Sequence, residues 1–307
     1  MKNSLSQLFA PYNTIAITGV AKNVGKTTAL NQLIKEFEGQ PIKGFEGHLA
    51  LTSIGLDGEE IDNATQTPKP RIFVSPGTII ATAQQLLTQR KNPPCDITKE
   101  ILAATNIQTP LGQVVIARAL SSGYVQLAGP SSVQQLLGLI DNFNELGAAK
   151  IIIDGAAGRK SLAAPHIAQA TLLCTGASAA GSMEQIAEIT SHTVKLMQLQ
   201  KIKTDPSSNN HIHIKGAVTN AILMQLITSG KAHNKTIVAE NATKLLIDPK
   251  TLNKLALCNG RLAVEDAINL VAVAINPTTP YGQGFCPRLF LDTMQKVLNV
   301  PVFDVRL

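Results

Sequence analysis

The chain has no tryptophan, and aromatic residues make up only 4% of its 307 positions. It also has no block of lysines or arginines; its net charge of +6 is spread along its length. Without basic runs or rings for stacking bases, nucleic acid is not an expected partner. The four cysteines, Cys95, Cys174, Cys258 and Cys286, stand alone, with no C-x-x-C pair. That argues against a zinc site and against a disulfide framework, and it fits a reducing cytoplasm. No apolar run approaches the length of a membrane span; the longest, Ile268 to Ile275, suits a buried strand. No apolar segment of the signal-peptide kind precedes Thr14, so a cytoplasmic protein without membrane contact is expected. Internal repeats and low-complexity tracts are missing too, and no shift in composition marks a linker. A single domain, 1–307, is the expectation, with a β-rich insertion around 96–131.

What is present centres on one stretch near the start. Thr14 to Thr18 is a short apolar run that ends at Gly19. A polar loop follows and closes on Gly25-Lys26-Thr27-Thr28, and Ala29-Leu30-Asn31-Gln32-Leu33-Ile34 reads as helix. Strand, glycine loop, Gly-Lys-Thr and helix together are what a phosphate-binding loop needs. Loop N–H groups and the helix N-terminus turn the positive ends of their dipoles toward a triphosphate. Lys26 adds a full charge for the β and γ phosphates, and the Thr27 hydroxyl can ligate Mg²⁺. The candidate ligand-binding set is Gly19, Asn23, Val24, Gly25, Lys26, Thr27 and Thr28. The loop departs from the strict pattern: Val20 to Val24 puts five residues between the glycines, where four are usual.

Further on, apolar runs alternate with helical patterns. Leu49 to Ile54 reads as a second strand, followed by a long polar stretch that begins at Asp57-Gly58-Glu59-Glu60. Arg71 to Val74 reads as a strand, and Thr78 to Leu87 as a helix by composition and spacing. Between Asp96 and Ser131, three strands are read at Glu100–Thr105, Val114–Ala119 and Tyr124–Ala128. The first of these equally suits the start of a helix capped by Asp96. Helices are predicted over Val133–Leu146 and Ser182–Leu199. Strands are predicted at Lys150–Asp154, Ala170–Cys174 and His211–Val218, the last ending at Thr219-Asn220. A polar loop spans Lys201 to Asn210. A helix from Ala221, a strand Thr236–Ala239, a helix Pro249–Leu257, a helix Arg288–Leu298 and a strand Val302–Val305 complete the pattern. This alternation predicts an α/β fold: a mostly parallel β-sheet with helices on both faces.

Ligands of such sheets collect at the carboxyl ends of the strands. Asp154, at a strand end before Gly155-Ala156-Ala157-Gly158, is the candidate to hold Mg²⁺ beside Thr27, because a hard cation wants oxygen ligands. Asp57 is either a second cation-binding or water-orienting carboxylate, or part of a solvated acidic loop. Lys26, Asp57 and Asp154 are therefore the candidate catalytic residues, and Thr27, Asp57 and Asp154 the candidate metal ligands. Asn220 is either a reader of an adenine edge or an Asn bonded to its own turn. Arg159-Lys160 reads as an exposed basic pair. His211 and His213 share one strand face without a third ligand.

On these residues the chain resembles the dethiobiotin synthetase-like branch of the P-loop NTPases, related to the MinD and nitrogenase iron-protein group. Thr18-Gly19 to Gly25-Lys26-Thr27 has that enzyme's stretched spacing. Asp154-Gly155-Ala156-Ala157-Gly158 resembles its Glu-Gly-Ala-Gly-Gly turn, and Val218-Thr219-Asn220 the strand whose Asn contacts adenine. Its substrate lysine has no counterpart, since Thr52-Ser53-Ile54-Gly55 stands there. More of the chain is similar to the ATPase subunit of the lysine 5,6-aminomutase reactivating factor. The stretches are Ala21–Thr28, Thr52–Gly55 with Asp57-Gly58-Glu59, Pro76-Gly77-Thr78 with Ala81-Thr82-Ala83, Thr109–Gly112, Leu127–Ser131 and Arg159-Lys160-Ser161. The resemblance implies an ATPase using ATP and Mg²⁺ that helps exchange damaged cobalamin on an adenosylcobalamin-dependent aminomutase. Its expected partners are that enzyme, a second reactivase subunit, or a second copy in a homodimer. The alternatives are an ATP-dependent ligase of the dethiobiotin synthetase type and a non-catalytic nucleotide-binding module.

Overall fold

The computed structural model describes residues 4–39, 47–55, 71–88, 95–155, 160–202 and 210–306. The segment after β2 that holds Asp57, residues 156–159 and residues 203–209 lie outside the described residues. In chain order the first elements are α1 (Leu5–Phe9), β1 (Thr14–Gly19), α2 (Lys26–Gly39), β2 (His48–Ile54), β3 (Ile72–Val74), β4 (Ile79–Ala83) and α3 (Gln84–Thr88). Then come β5 (Lys99–Thr109), β6 (Gly112–Ala119), β7 (Gly123–Val125), α4 (Val133–Glu145), β8 (Ala148–Gly155), β9 (Ala170–Gly176) and α5 (Met183–Met197). The last are β10 (His211–Ile214), β11 (Val218–Thr219), α6 (Asn220–Thr228), β12 (Thr236–Asn241), β13 (Leu245–Leu246), α7 (Pro249–Leu257), β14 (Arg261–Asp266), β15 (Leu270–Asn276), α8 (Pro287–Val297) and β16 (Val302–Asp304).

Nine strands form the main sheet in the order β16-β15-β9-β1-β8-β2-β4-β6-β5. The pairings from β16 to β4 are parallel, and β6 and β5 extend that edge as an antiparallel hairpin. The protein is thus α/β with a large, mostly parallel sheet. β1 lies inside it and every one of its residues is buried, so its apolar run shows no alternation. Its side chains divide between the two faces. Ile15 and Ile17 join a core with Leu30, Leu33, Ile34 and Phe37 of α2. Ala16 faces a second core with Leu136, Leu139, Ile140 and Phe143 of α4. The four α2 residues recur at helical spacing, and burying them contributes roughly 6–12 kcal/mol of transfer free energy. A third core lies under α5 and α8 against Leu173, Val273 and Ile275.

Local chemistry sets the helix starts. The hydroxyls of Ser132 and Ser182 accept the N–H of Gln135 and Gln185, capping α4 and α5. Asp248 caps α7 ahead of Pro249. At the other end of the sheet, the buried Lys150 donates to the carbonyls of Tyr12, at 2.8 Å, and Ala10, tying the N-terminal segment to β8.

Two expected elements differ. Thr78 to Leu87 is not one helix: Ile79–Ala83 is a strand buried at all five positions, and only Gln84–Thr88 is helical. A strand covered on both faces has no period-2 signature, and β6 fixes it by pairing Ile79 with Arg118 through Ala83 with Val114. The predicted strand His211–Val218 is broken at Gly216, whose φ is 81°. Its first half joins the three-stranded sheet β10-β12-β14, and its second half pairs with β13. Within residues 96–131, β5 and β6 belong to the main sheet, and β7 pairs with β3. Among the described residues, no helix is long and apolar enough to cross a membrane.

Candidate functional site

The loop between β1 and α2 is anchored at its start to the neighbouring strand β9. Val20 N–H donates to Cys174 O of β9 at 3.0 Å, where β1 ends. Gly25 has φ of 90°, in the left-handed region, and Asn23, at 57°, shares it. Ala29 N–H donates to Gly25 O at 2.9 Å, closing the first turn of α2. The N–H groups of Lys26, Thr27 and Thr28 therefore stand at the helix start without intrahelical partners. A methyl group on Gly19 would lie 2.9 Å from Val24 Cγ2 and 3.3 Å from Lys26 Cδ. The lysine stem is thus folded back over the end of β1.

Asp154 comes to the same place on β8. It pairs with Ile17 of β1 on one side and Ser53 of β2 on the other, and is only 7% exposed. Lys26 and Asp154 both bear electrostatically on Cys174 of β9. Burial pushes the Cys174 thiol up to about 12, and two charges bear on it: Lys26 pulls it down and Asp154 pushes it up. Cation and carboxylate both act on one buried sulfur beside Gly19. Thr27 and Thr28 are half-buried in the first turn of α2. Gly19, Asn23, Val24, Gly25, Lys26, Thr27, Thr28 and Asp154 are thus gathered at the carboxyl ends of two adjacent strands, β1 and β8. No known protein family matches this chain, and no curated protein or solved structure does either. The chemistry has to be taken from the residues themselves.

On the β2 side of Asp154 a strap, residues 126–130, crosses the strand ends. Gly129 N–H donates to Ser53 Oγ at 3.1 Å, and Ala128 N–H to Thr82 Oγ1 at 2.8 Å. Gly55 N–H donates to Pro130 O at 2.7 Å, and Ala83 N–H to Ala128 O at 2.9 Å. That flank is closed by backbone. On the β9 side, Asn276 ends β15 and was not among the expected residues, because the predicted strand stopped at Ile275. A methyl on Gly25 would come within 2.7 Å of Asn276 Cβ and 3.0 Å of its amide nitrogen. The Asn276 amide oxygen accepts the N–H and hydroxyl of Thr278, at 3.2 and 3.0 Å. The sequence signal for it was an Asn-Pro step directly after a buried apolar run.

Asn220 is a correction. It opens α6 next to the small β11–β13 pair and is not at a strand end of the main sheet. Both halves of its amide are engaged: Nδ2 donates to Asp248 Oδ2 at 2.8 Å, and Oδ1 accepts Asp248 N–H at 2.9 Å. It braces the α7 cap. Asp57 lies outside the described residues. His213 pairs with Glu265 at 3.1 Å. Among the described residues, no three His, Cys, Asp or Glu side chains gather to hold a metal. A cavity of about 400 Å³ between β5 and α4, lined by Thr105, Asn106, Gln135 and Asn142, includes no residue of the glycine loop.

Proposed function

We propose that the chain binds Mg-ATP at the carboxyl ends of β9, β1 and β8 and hydrolyses it as a P-loop NTPase. One observation carries this: Lys26 folded over Gly19 at the start of α2, with Asp154 on the adjacent strand. Helix-start N–H groups and an ammonium meet the charge of a triphosphate, and the low-dielectric strand ends strengthen that attraction. Thr27 and Asp154 would hold Mg²⁺. A hydroxyl and a carboxylate are the hard oxygen donors it prefers, and a single protein carboxylate suits a cation that shares its shell with phosphates and water. The cation would supply charge neutralisation at the transferring phosphoryl group. The crowding of Gly19 and Gly25 fits a cradle made of backbone.

The task of the ATP is read from the resemblance to aminomutase reactivating factors: an ATPase acting on an adenosylcobalamin-dependent aminomutase. A ligase of the dethiobiotin synthetase type is less well supported. The end of β2 carries no lysine there, and its Ser53 hydroxyl is already taken by the strap.

The test is titration calorimetry with Mg-ATP on the wild type and Lys26→Ala, which removes the loop's fixed cation. Loss of binding in the variant is the expected result, and equal affinity overturns the placement. Addition of a cobalamin aminomutase should raise the wild-type ATPase rate. A flat response argues against the reactivase role while leaving the ATP site standing.

A further inference from the structure

Residues 277–285, which follow Asn276, form a folded arm. Phe285 N–H donates to Pro277 O at 2.9 Å, Thr279 N–H to Gln283 O at 2.6 Å, and Gly282 N–H to Thr279 O at 3.1 Å. Thr278 and Gly284 make an antiparallel bridge between these bonds. At its root, the Asn276 amide holds Thr278 and lies against Gly25. At its far side, Phe285 packs on Phe290 of α8, with ring centroids 5.5 Å apart. The tip carries Tyr281, 63% exposed, in a chain with only three tyrosines.

We infer that this arm is the nucleobase clamp of the proposed ATP site, with Tyr281 stacking on the purine ring; the inference rests on the phosphate-loop reading. The direction of the ligand follows from the two flanks. Phosphates held by the loop, with their cation at Asp154, occupy the middle of the strand ends. The β2 and β4 ends beyond Asp154 are covered by the strap at 126–130. An elongated nucleotide therefore extends the other way, over β9 and β15, where the arm is rooted. Two hydroxyls near that root, Ser178 Oγ and Thr279 Oγ1, are buried and have no hydrogen-bond partner among the described residues. Buried polar groups of this kind call for a partner, and the ribose or base edge supplies one. A bonded arm presents its ring at low entropic cost, and stacking tolerates a range of bases because each has a π face.

The experiment compares Mg-ATP with Mg-tripolyphosphate, which has the phosphates and no base, on wild type, Tyr281→Ala and Tyr281→Phe. Tyr281→Ala should weaken ATP about tenfold or more and leave tripolyphosphate unchanged. Tyr281→Phe should stay within about twofold of wild type for both, because it keeps the ring. ATP should quench tyrosine emission in the wild type, and that quenching should vanish in Tyr281→Phe while binding persists. Wild-type ATP affinity in Tyr281→Ala overturns the clamp, as does equal weakening of both ligands, which would make the arm a support for the loop. Failure of both ligands to bind the wild type is a different result and removes the phosphate-loop reading itself.

Discussion

Substitution of Gly129 by alanine should be among the most damaging single-methyl additions to this protein. Gly129 lies in the strap over β2, where an added Cβ would sit 1.9 Å from Ser53 O and 2.9 Å from Thr52 Oγ1. Ordinary contact begins near 3.4 Å, so strap or strand must give way by roughly 1.5 Å in a close-packed region. The obstacle is a backbone carbonyl inside the sheet, so no rotamer change relieves it. Four hydrogen bonds fall within reach of that shift: Gly129 to Ser53, Ala128 to Thr82, Ala83 to Ala128, and Gly55 to Pro130. A displacement above 1 Å breaks a hydrogen bond, and each contributes about 1 kcal/mol net, so losing two to four of them costs about 2–4 kcal/mol. Against a usual stability of about 5–15 kcal/mol, that is readily measured. The assay is urea unfolding with the slope held constant, so that the midpoint reports stability. Gly138→Ala is the control. Gly138 lies in α4 with nothing within 4 Å of an added Cβ, and alanine there should stabilise by about 0.5–1 kcal/mol. A Gly129→Ala loss below about 1 kcal/mol would refute the close approach of strap and strand.

Lys150→Met should destabilise by about 1–3 kcal/mol by stripping the Ala10 and Tyr12 carbonyls of their donor. Burial holds the Lys150 pKa below its ordinary 10.5, so over that alkaline window the unfolded chain binds more protons, and the lysine's contribution to stability rises with pH. The variant should lack that rise, as read from urea midpoints across alkaline pH. Cys174 works the other way: its folded thiol, at about 12, keeps a proton that the unfolded thiol releases near 9, so its contribution is full below 9 and lost between those values. Under native conditions Cys174 should resist iodoacetamide at pH 8 while the exposed Cys286 reacts, and peptide mass mapping checks both. Rapid alkylation of Cys174 in the folded protein would contradict its burial beside Gly19.

The local elements were well marked in the sequence. Val133, Leu136, Leu137 and Ile140 recur at helical spacing after a serine cap, and α4 forms there. Pro249 to Leu257 opens with Asp-Pro, and α7 has those bounds. The assembly of Gly19, Lys26 and Asp154 was also legible, because a glycine loop between strand and helix and an acid after an apolar run each have a fixed place in a parallel sheet. The partner of each strand was not. Nothing local to His211–Thr219 says that these residues pair with β12 and β13, so Asn220 was expected at a strand end of the main sheet, which it does not share. Asn276 escaped for a related reason: its importance comes from lying against Gly25, a contact set by the tertiary packing of β15 alone. The buried Ile79–Ala83 carried no period to separate strand from helix, and only its long-range pairing with β6 decides it.

The interior position of β1 also bears on how the protein is made. β1 is synthesised before its sheet neighbours β8 and β9, which come from residues 148–155 and 170–176, and before residue 276, which packs on Gly25. On the ribosome, the glycine loop emerges long before anything exists to hold it. Closing such distant contacts costs loop entropy before any burial offsets it, so folding should be slow for the chain's size. A nascent chain with a bare Val20–Lys26 loop and an unpaired Ile15–Ile17 run exposes apolar strand edge in the meantime. The same placement that centres the site in the finished sheet makes the growing chain a natural client for chaperones.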